Sequence, residues 1–514
     1  MKVKIKFLGG VADSLTGSCT MLIVSEGKKI SRILIDCGLI QGGFKDSVLN
    51  NKEILKQVKP SEIDYIILTH SHVDHIGRLP LFTKNGFKGR IICTHCTNDL
   101  LMPMLDDSVK IQLAEAAYLN KKLLKAEKNE EPKKGKNRDA ATLGRYDKIK
   151  KKECEHKDKT YYEPLYDGDD ANLVYELIKN GGYDYHKWIR LTHIISLKFY
   201  PSGHVMGGAI IVLKVKSKHK DVHFCFTGDL GRKDGIILPP PEVVQEQIDY
   251  LILESTYGGR IHPKRDQEIE KILDLVRASD SRNKRIIIPS FALERSQEII
   301  YLLSYYMDQG SIPEVPIFLD SPLSRIITAT FAEAWSDGMF SDQDKLNFNP
   351  FDPASNKFFN IVSEQKMSDS LIASANNYIV VAGSGMCDAG RVRGHLRANL
   401  GKTDTTVCLV GYMSENSLGR KLKDGLEMVK MNGEEIDVRA KIVSFDSFSA
   451  HADGPFLVEY AKLVLANNQD RPQTIFLNHG EGKSANDLRH DLKVNLSSSV
   501  EVKIPELNEE IIIK

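Results

Sequence analysis

The sequence predicts an α/β protein in which a strand-rich domain is interrupted by a domain of alternating strands and helices. Residues 1–85 have the pattern of strands joined by glycine turns, and a helix is expected over about 100–118. Past Gly258, apolar runs alternate with helical segments, which is typical of a parallel sheet covered by helices. These runs are residues 285–288, 317–319, 378–381 and 406–410. Short strands return after about residue 425, so we expect the first domain to resume there.

Length and composition indicate a folded chain without a membrane partner. The 514 residues suffice for two or three domains, and 41% of them are hydrophobic. A net charge of +1 means that any nucleic acid must bind to local patches. No apolar run approaches the roughly 20 residues that span a bilayer. The eight cysteines are scattered, which favours reduced thiols and a cytoplasmic location.

One basic segment interrupts this even charge pattern. Residues 120–159 contain 15 Lys and Arg against 8 Asp and Glu, a local balance of +7. Charge runs are usually solvated, so we predict a helical excursion or loop here. An RNA-contacting arm is the alternative.

The motif with the clearest chemistry is HSHVDH at residues 70–75, directly after the apolar run 65–68. The run is expected to be a buried strand, so the motif lies on the loop at its end. Histidine and aspartate are ligands of zinc, and such crowding disfavours protonation unless a cation is bound.

Further polar residues follow apolar runs, at the ends of predicted strands. They are Asp36, His204, Asp229, Glu254 and His451. Because strand ends of one domain converge on a rim, we expect these side chains to join the motif. We predict one metal on His70, His72 and His204, a second on Asp74, His75 and His451, and Asp229 between them. Donors without thiolates favour zinc, two ions per chain. Asp36 is expected to hold an imidazole N–H or a loop amide.

These residues together resemble the metallo-β-lactamase-fold hydrolases and their β-CASP subgroup of nucleases. Glu254, in LESTYG, resembles motif A of that subgroup, and His451, in SFSAHAD, resembles motif C. The segments DCG at 36–38 and SGM at 384–386 are similar to prokaryotic relatives of the cleavage-and-polyadenylation endonuclease. The resemblance implies an αββα sandwich, residues 1–258 and 426–514, with a parallel α/β β-CASP domain inserted at 259–425.

The resemblance also implies an activity. RNA-directed members carry His at motif C, so RNA is the expected partner. The expected reaction is zinc-dependent hydrolysis of RNA phosphodiester bonds by a metal-bridging hydroxide, with Asp74, Asp229 and Glu254 in the catalytic centre. Endonuclease activity is expected, and 5′–3′ exonuclease activity and a homodimer are left open.

One family residue has no match in the chain. Motif B is a His, shortly after a Gly-Tyr segment, that protonates the leaving oxygen with help from the motif A acid. No His follows Gly411-Tyr412 closely, and Lys421 falls about where it is expected. A lysine with its usual pKa near 10.4 is an inefficient donor at neutral pH. His395 is therefore the alternative proton donor.

Residues after strands of the insert are candidates for contact with the RNA backbone. They are Arg295, Ser321, Ser384 and Arg391, because helix N-termini and basic side chains bind phosphate. The two serines are equally compatible with helix capping. His479 follows another apolar run, and we interpret it as structural support rather than as a metal ligand.

Two other functions remain open at this point. A small-molecule hydrolase of the same fold is disfavoured because a small substrate needs no inserted domain. A catalytically weak RNA-binding scaffold is disfavoured by the full set of metal donors, and the missing motif B His favours it.

Overall fold

The computed structural model describes residues 1–11, 16–130, 162–178, 181–218, 220–280, 284–340, 343–411, 413–466 and 473–513. The basic segment lies outside these residues from 131 onward.

The strands, in chain order, are β1 Lys2–Gly9, β2 Cys19–Glu26, β3 Lys29–Ile35, β4 Tyr65–Ile67, β5 Arg90–Ile92, β6 Ile189–Arg190, β7 Ile195–Pro201, β8 Ala209–Val215, β9 Val222–Phe226, β10 Tyr250–Glu254, β11 Arg285–Pro289, β12 Ile317–Asp320, β13 Phe359–Ile361, β14 Tyr378–Ala382, β15 Thr405–Leu409, β16 Met428–Met431, β17 Glu434–Asp437, β18 Lys441–Ser444, β19 Gln473–Asn478, β20 Val500–Lys503 and β21 Glu510–Ile512.

Helices connect most of these strands. The α-helices are α1 Phe44–Gln57, α2 Val73–Ile76, α3 Leu79–Lys84, α4 His95–Glu130, α5 Gly168–Glu176, α6 Arg265–Asp280, α7 Arg295–Asp308, α8 Pro322–Ser336, α9 Gln365–Ala373, α10 Val392–Asn399, α11 Leu418–Lys423, α12 Gly454–Leu465 and α13 Gly482–Asn495. Short 3-10 helices cover Pro60–Glu62, Gln343–Lys345 and Asp446–Phe448. Within the described residues, no helix is both long and apolar enough to cross a membrane.

The first and last parts of the chain form two sheets that pack face to face. Their strand orders are β21-β1-β2-β3-β4-β5 and β20-β19-β10-β9-β8-β7-β6. The alternating residues Val3, Ile5 and Phe7 of β1 are fully buried between the sheets, against residues such as Phe199 and Phe476. Helices α1, α3 and α4 cover the outer face of the first sheet, and α12 and α13 cover that of the second. The predicted αββα sandwich is therefore confirmed.

The insert is a separate sheet of strands that all run parallel, in the order β13-β12-β14-β11-β15-β18. The four apolar runs that predicted it are β11, β12, β14 and β15. Its last strand, β18, pairs with β15, so this sheet extends to Ser444, beyond the predicted boundary at residue 425. The hairpin β16–β17 precedes β18. Short strands are also typical of the first domain, and for this reason the sequence predicts that the first domain resumes there.

Candidate active site

Three imidazoles and one carboxylate oxygen form the first of two clusters at the strand ends. Nε2 of His70 lies 3.0 Å from Nδ1 of His72, and Nε2 of His204 lies 3.3 Å from the same atom. Oδ2 of Asp229 is 3.6 Å from Nε2 of His70 and 3.5 Å from Nε2 of His204. Tetrahedral zinc with bonds of about 2.0–2.1 Å separates its ligand atoms by roughly 3.3–3.4 Å. The four atoms therefore have the spacing of one tetrahedral site.

The second cluster uses the other oxygen of the same aspartate. Nε2 of His75 lies 3.1 Å from Nε2 of His479 and 3.4 Å from Oδ1 of Asp229. Oδ2 of Asp74 lies 3.4 Å from Nε2 of His479. Asp229 therefore directs one oxygen to each cluster, as a carboxylate between two cations does.

Unsatisfied polar atoms indicate that these clusters fit metal ions. Nδ1 of His72 faces two other ring nitrogens, and one proton cannot satisfy both contacts. Oδ1 of Asp229 is buried and has no hydrogen-bond donor in the described part of the chain. Burial lowers the pKa of His70 and His204 well below the usual value and that of His72 to about 4. These imidazoles are therefore neutral, which is the form that binds a metal.

Asp36 supports the clusters from behind, as predicted. Its Oδ1 accepts a hydrogen bond from the Thr69 amide at 2.8 Å, and its Oδ2 lies 2.7 Å from Nδ1 of His75. Asp36 thus holds both a loop amide and an imidazole N–H, which turns Nε2 of His75 toward the second cluster. Such contacts orient a ligand and raise its basicity.

The turn that carries Asp229 requires a glycine before it. Gly228 has φ +54°, and a Cβ there would lie 2.7 Å from Cβ of Thr69. The absence of a side chain lets the loops after β4 and β9 approach each other. Histidines from one loop and the bridging aspartate from the other therefore meet.

The sequence predicts that His451 shares a metal with Asp74 and His75, and the structure places His451 outside both clusters, beside Asp229 and Glu254. Its Nε2 is 4.0 Å from Oδ2 of Asp229, and its Nδ1 is 3.2 Å from Oε1 of Glu254. Burial alone would lower the pKa of His451, but the carboxylates of Glu254 and Asp229 outweigh it and raise the pKa to about 9. The ring is 20% exposed, whereas Glu254 is fully buried. His451 is thus an imidazole held by a buried acid beside the clusters, and its raised pKa favours the protonated form.

His479 takes the position that was predicted for His451. Strands β10 and β19 run parallel with Glu254 opposite Asn478, so that His479 emerges at the same rim. The Thr256 hydroxyl donates to the His479 carbonyl at 2.8 Å and fixes the turn. The sequence favoured structural support over a metal role for His479, and the structure places its Nε2 beside Asp74 and His75. The strand-end rule that selected the other residues applies equally to it.

Neither predicted proton donor is close to the clusters. His395 is fully buried in the insert, with Nε2 2.8 Å from Oδ2 of Asp320. Lys421 is exposed on α11. Within the described ranges neither side chain contacts Glu254 or a clustered residue. The motif A acid, Glu254, holds His451 instead, so His451 has the contacts expected of the missing motif B His.

The arginines predicted to bind RNA are engaged inside the protein. Arg295 is 5% exposed and forms an ion pair with Glu298. Arg391 donates to Oδ1 of Asp320 at 2.8 Å. Their charges are balanced by buried or partly buried acids, so the structure does not present them as free phosphate ligands.

The two predicted serines lie at the carboxyl edge of the inserted sheet. Ser321 caps α8, since its Oγ accepts from the Ser324 amide at 3.2 Å. Ser384 Oγ accepts from the Ala389 amide at 3.3 Å within its own loop. At the same edge Phe291 is 39% exposed. This aromatic ring was not predicted, although it follows the apolar run of β11.

Comparison with known proteins agrees with this architecture. Three family models match: the metallo-beta-lactamase superfamily at residues 16–135, the Beta-Casp domain at 296–422 and the Zn-dependent metallo-hydrolase RNA specificity domain at 435–505. Fold and clusters define the class as a metallohydrolase of the metallo-β-lactamase fold with a metal cofactor. Within that class, the chain carries a Beta-Casp domain between its metallo-β-lactamase and RNA specificity segments.

Three relatives match nearly the whole length of this chain. The chain is 28% identical over 476 residues to Ribonuclease TTHA0252 of Thermus thermophilus, covering 92% of each chain. It is 28% identical over 483 residues to the RNase J-like protein of Methanocaldococcus jannaschii, covering 93% of each. It is also 28% identical over 501 residues to transcription termination factor FttA of Methanosarcina mazei, covering 95% of this chain and 68% of that protein.

Proposed function

We propose that this protein is a zinc-dependent ribonuclease. The observation that carries the proposal is the Glu254–His451 pair, whose imidazole Nε2 lies 4.0 Å from the carboxylate shared by both clusters. A proton donor beside a two-metal centre is the arrangement that hydrolysis of a phosphodiester requires. The RNA specificity domain contains His451 and His479, and two relatives carry ribonuclease in their names.

Zinc suits the donor set, which combines imidazole nitrogen and carboxylate oxygen without thiolates. One ion would bind to His70, His72, His204 and Asp229, and the other to Asp74, His75, His479 and Asp229. When bound, the two ions supply an activated water molecule and neutralise charge on the phosphoryl oxygens. Asp36 holds His75 so that its Nε2 faces the other members of the second cluster.

His451 is proposed to protonate the oxygen that leaves. Its Nδ1–H donates to Glu254, whose Oε1 also accepts from the Leu230 amide at 2.8 Å. With Nδ1 held in this way, Nε2 is the ring nitrogen left beside the clusters, 4.0 Å from Oδ2 of Asp229. Transfer of the Nε2 proton to the departing 3′ oxygen yields a 3′-hydroxyl on one fragment and a 5′-phosphate on the other.

RNA is favoured over a small molecule because the metal-binding domain carries a second domain whose sheet edge exposes an aromatic ring. Phe291 lies on this edge, and aromatic faces stack on unpaired bases. The scaffold alternative loses its main support, since His451 fills the proton-donor role. Endonuclease with additional 5′–3′ exonuclease activity, a cytoplasmic location and a homodimer remain parts of the proposal, to be tested by product mapping, cell fractionation and the mass in solution.

The test uses zinc-loaded protein and a 5′-monophosphorylated, internally labelled single-stranded RNA, with a DNA of the same sequence. His451→Ala should keep two zinc ions per chain and lose about 10²–10⁴-fold in cleavage rate, the usual contribution of a general acid. His479→Ala should lose one zinc ion as well as activity. His490→Ala, at an exposed histidine of α13, is the matched control.

Three results would contradict the proposal. Zinc-loaded protein that cleaves neither polymer would favour a scaffold. A 2′,3′-cyclic phosphate product would mean that the 2′-hydroxyl attacks. Loss of zinc in His451→Ala together with full zinc in His479→Ala would restore the ligand set predicted from the sequence.

A further inference from the structure

Glu294 has an unusual backbone conformation for its residue type. It directly precedes α7, and its φ is +69°, in the left-handed region that favours glycine. Glutamate lacks the short side chain with which Asn or Asp stabilises this conformation locally. The residue is also 2% exposed, so its carboxyl group is removed from water. A strained and buried acid persists only where its surroundings hold it, and such outliers point to a role.

The carboxyl group of Glu294 reaches out of the insert into the metal-binding domain. Its Oε2 accepts a hydrogen bond from the Met206 amide at 3.0 Å. Met206 lies in the loop 202–208 between β7 and β8, two residues after the ligand His204. One hydrogen bond therefore connects the insert to the backbone that positions a ligand of the first cluster.

The rest of this loop is held by the metal-binding domain at its ends. The Gly207 carbonyl accepts from the hydroxyls of Thr94 at 2.7 Å and Thr97 at 2.9 Å. The Ser202 amide donates to the Gly208 carbonyl at 3.0 Å and closes the base of the loop. Glu294 thus adds an anchor at Met206 that comes from another domain.

We infer that Glu294 is a positioning residue, which couples the inserted domain to the first metal site through the Met206 amide and the His204 loop. The inference rests on the proposed metal centre and is independent of the identity of the substrate. Nε2 of His204 lies 3.3 Å from Nδ1 of His72, so a small shift of the loop changes the spacing of the donor atoms. Groups that orient ligands typically change metal affinity by about 10–100-fold.

Two substitutions separate positioning from a merely structural role. Glu294→Gly removes the acceptor and suits φ +69°, so relief of backbone strain should offset part of the cost of the unpaired Met206 amide, and the apo protein should still unfold cooperatively. Its zinc affinity at the first site should nevertheless fall about 10-fold or more. Glutamine keeps an Oε acceptor of the same reach for the Met206 amide, so it is a close replacement. Glu294→Gln should therefore keep the affinity within about threefold of the parent.

The measurement is zinc stoichiometry and affinity by chelator competition, with thermal unfolding of the apo protein. Glu333→Gly on the exposed side of α8 is the control for losing a glutamate from the insert, and His204→Ala is the reference for losing the first site. Unchanged zinc affinity in Glu294→Gly would overturn the inference. An equal loss of zinc affinity at both sites, together with a destabilised apo protein, would also overturn it. If His204→Ala kept both zinc ions, the inference would fall because the metal assignment itself is wrong.

Discussion

A buried cluster of histidine and carboxylate surrounds Asp320 in the insert, and the two clusters described above surround Asp229 in the metal-binding domain. All of them lie at strand ends, but their polar atoms are satisfied differently. In the insert, Oδ2 of Asp320 accepts from Ser368 at 2.5 Å and from His395 at 2.8 Å, and Oδ1 accepts from Arg391 at 2.8 Å. In the metal-binding domain, Oδ1 of Asp229 has no donor among the described residues, and ring nitrogens face each other.

The comparison shows that residue type and strand-end position do not by themselves identify a metal site. The Asp320 cluster and the Asp229 clusters both combine histidine and carboxylate at strand ends, which is the pattern from which ligands are predicted. The Asp320 cluster provides a donor for each carboxylate oxygen, so it stabilises the insert without a cation. In the Asp229 clusters one carboxylate oxygen has no donor among the described residues and ring nitrogens face each other, which is the condition that a cation relieves.

The largest effect is expected from Asp229→Asn. An amide cannot supply two charged oxygens to two ions, so both clusters should lose zinc and cleavage should fall by at least about 10³-fold. Elemental analysis and RNA cleavage measure this. Asp320→Asn is the matched change in the other cluster and should keep both zinc ions. If Asp229→Asn and Asp320→Asn bound equal amounts of zinc, the distinction between the Asp229 clusters and the Asp320 cluster would be contradicted.

A smaller effect is expected where the metal centre meets its supporting residue. Asp36→Asn replaces the acceptor of the His75 N–H, and zinc affinity at the second site should fall about 10–100-fold. Chelator competition gives the affinity. Asp64→Asn, a strand-end aspartate that accepts from the Arg32 amide at 2.8 Å, is the control and should leave zinc unchanged. An unchanged affinity in Asp36→Asn would show that Asp36 only stabilises the loop.

Asp320→Asn should affect folding rather than metal binding. Removing one partner from a buried charged network costs about 3 kcal/mol, measurable by urea unfolding of the apo protein. Burial alone would raise the pKa of Asp320, but hydrogen bonds from His395, Ser368 and Arg391 outweigh it and lower the pKa. The contribution is therefore present at neutral pH and is lost as pH falls below about 4. The stability gap between parent and variant should narrow in acid, and a constant gap would contradict this.

The smallest effect is expected from Lys421→Ala. Lys421 is exposed on α11, and in the part of the chain described here it does not contact the Glu254–His451 pair. Cleavage should stay within about twofold, because surface changes away from a site have little effect. A rate loss near 10²-fold would instead return Lys421 to the proton-donor role and displace His451.

The sequence by itself determined the features that depend on neighbours in the chain. HSHVDH brings four donors together within six residues after β4, so their clustering needs no distant contact. The strands of the insert were found because each is a short apolar run between helical segments. The parallel insert within an interrupted domain followed from the order of these elements, and the αββα sandwich followed from the resemblance of the motifs.

Only the tertiary structure decided between His451 and His479. Both follow apolar segments near the C-terminus, and both reach the rim beside Asp229. The parallel pairing of β10 with β19 brings His479 to the second cluster, whereas Glu254 at the end of β10 holds His451 3.2 Å away. Likewise, the partners of Arg295 and Arg391 come from packing within the insert. Donor spacing of about 3 Å and the pairing of charges depend on contacts between distant segments, and these contacts exist only in the folded chain.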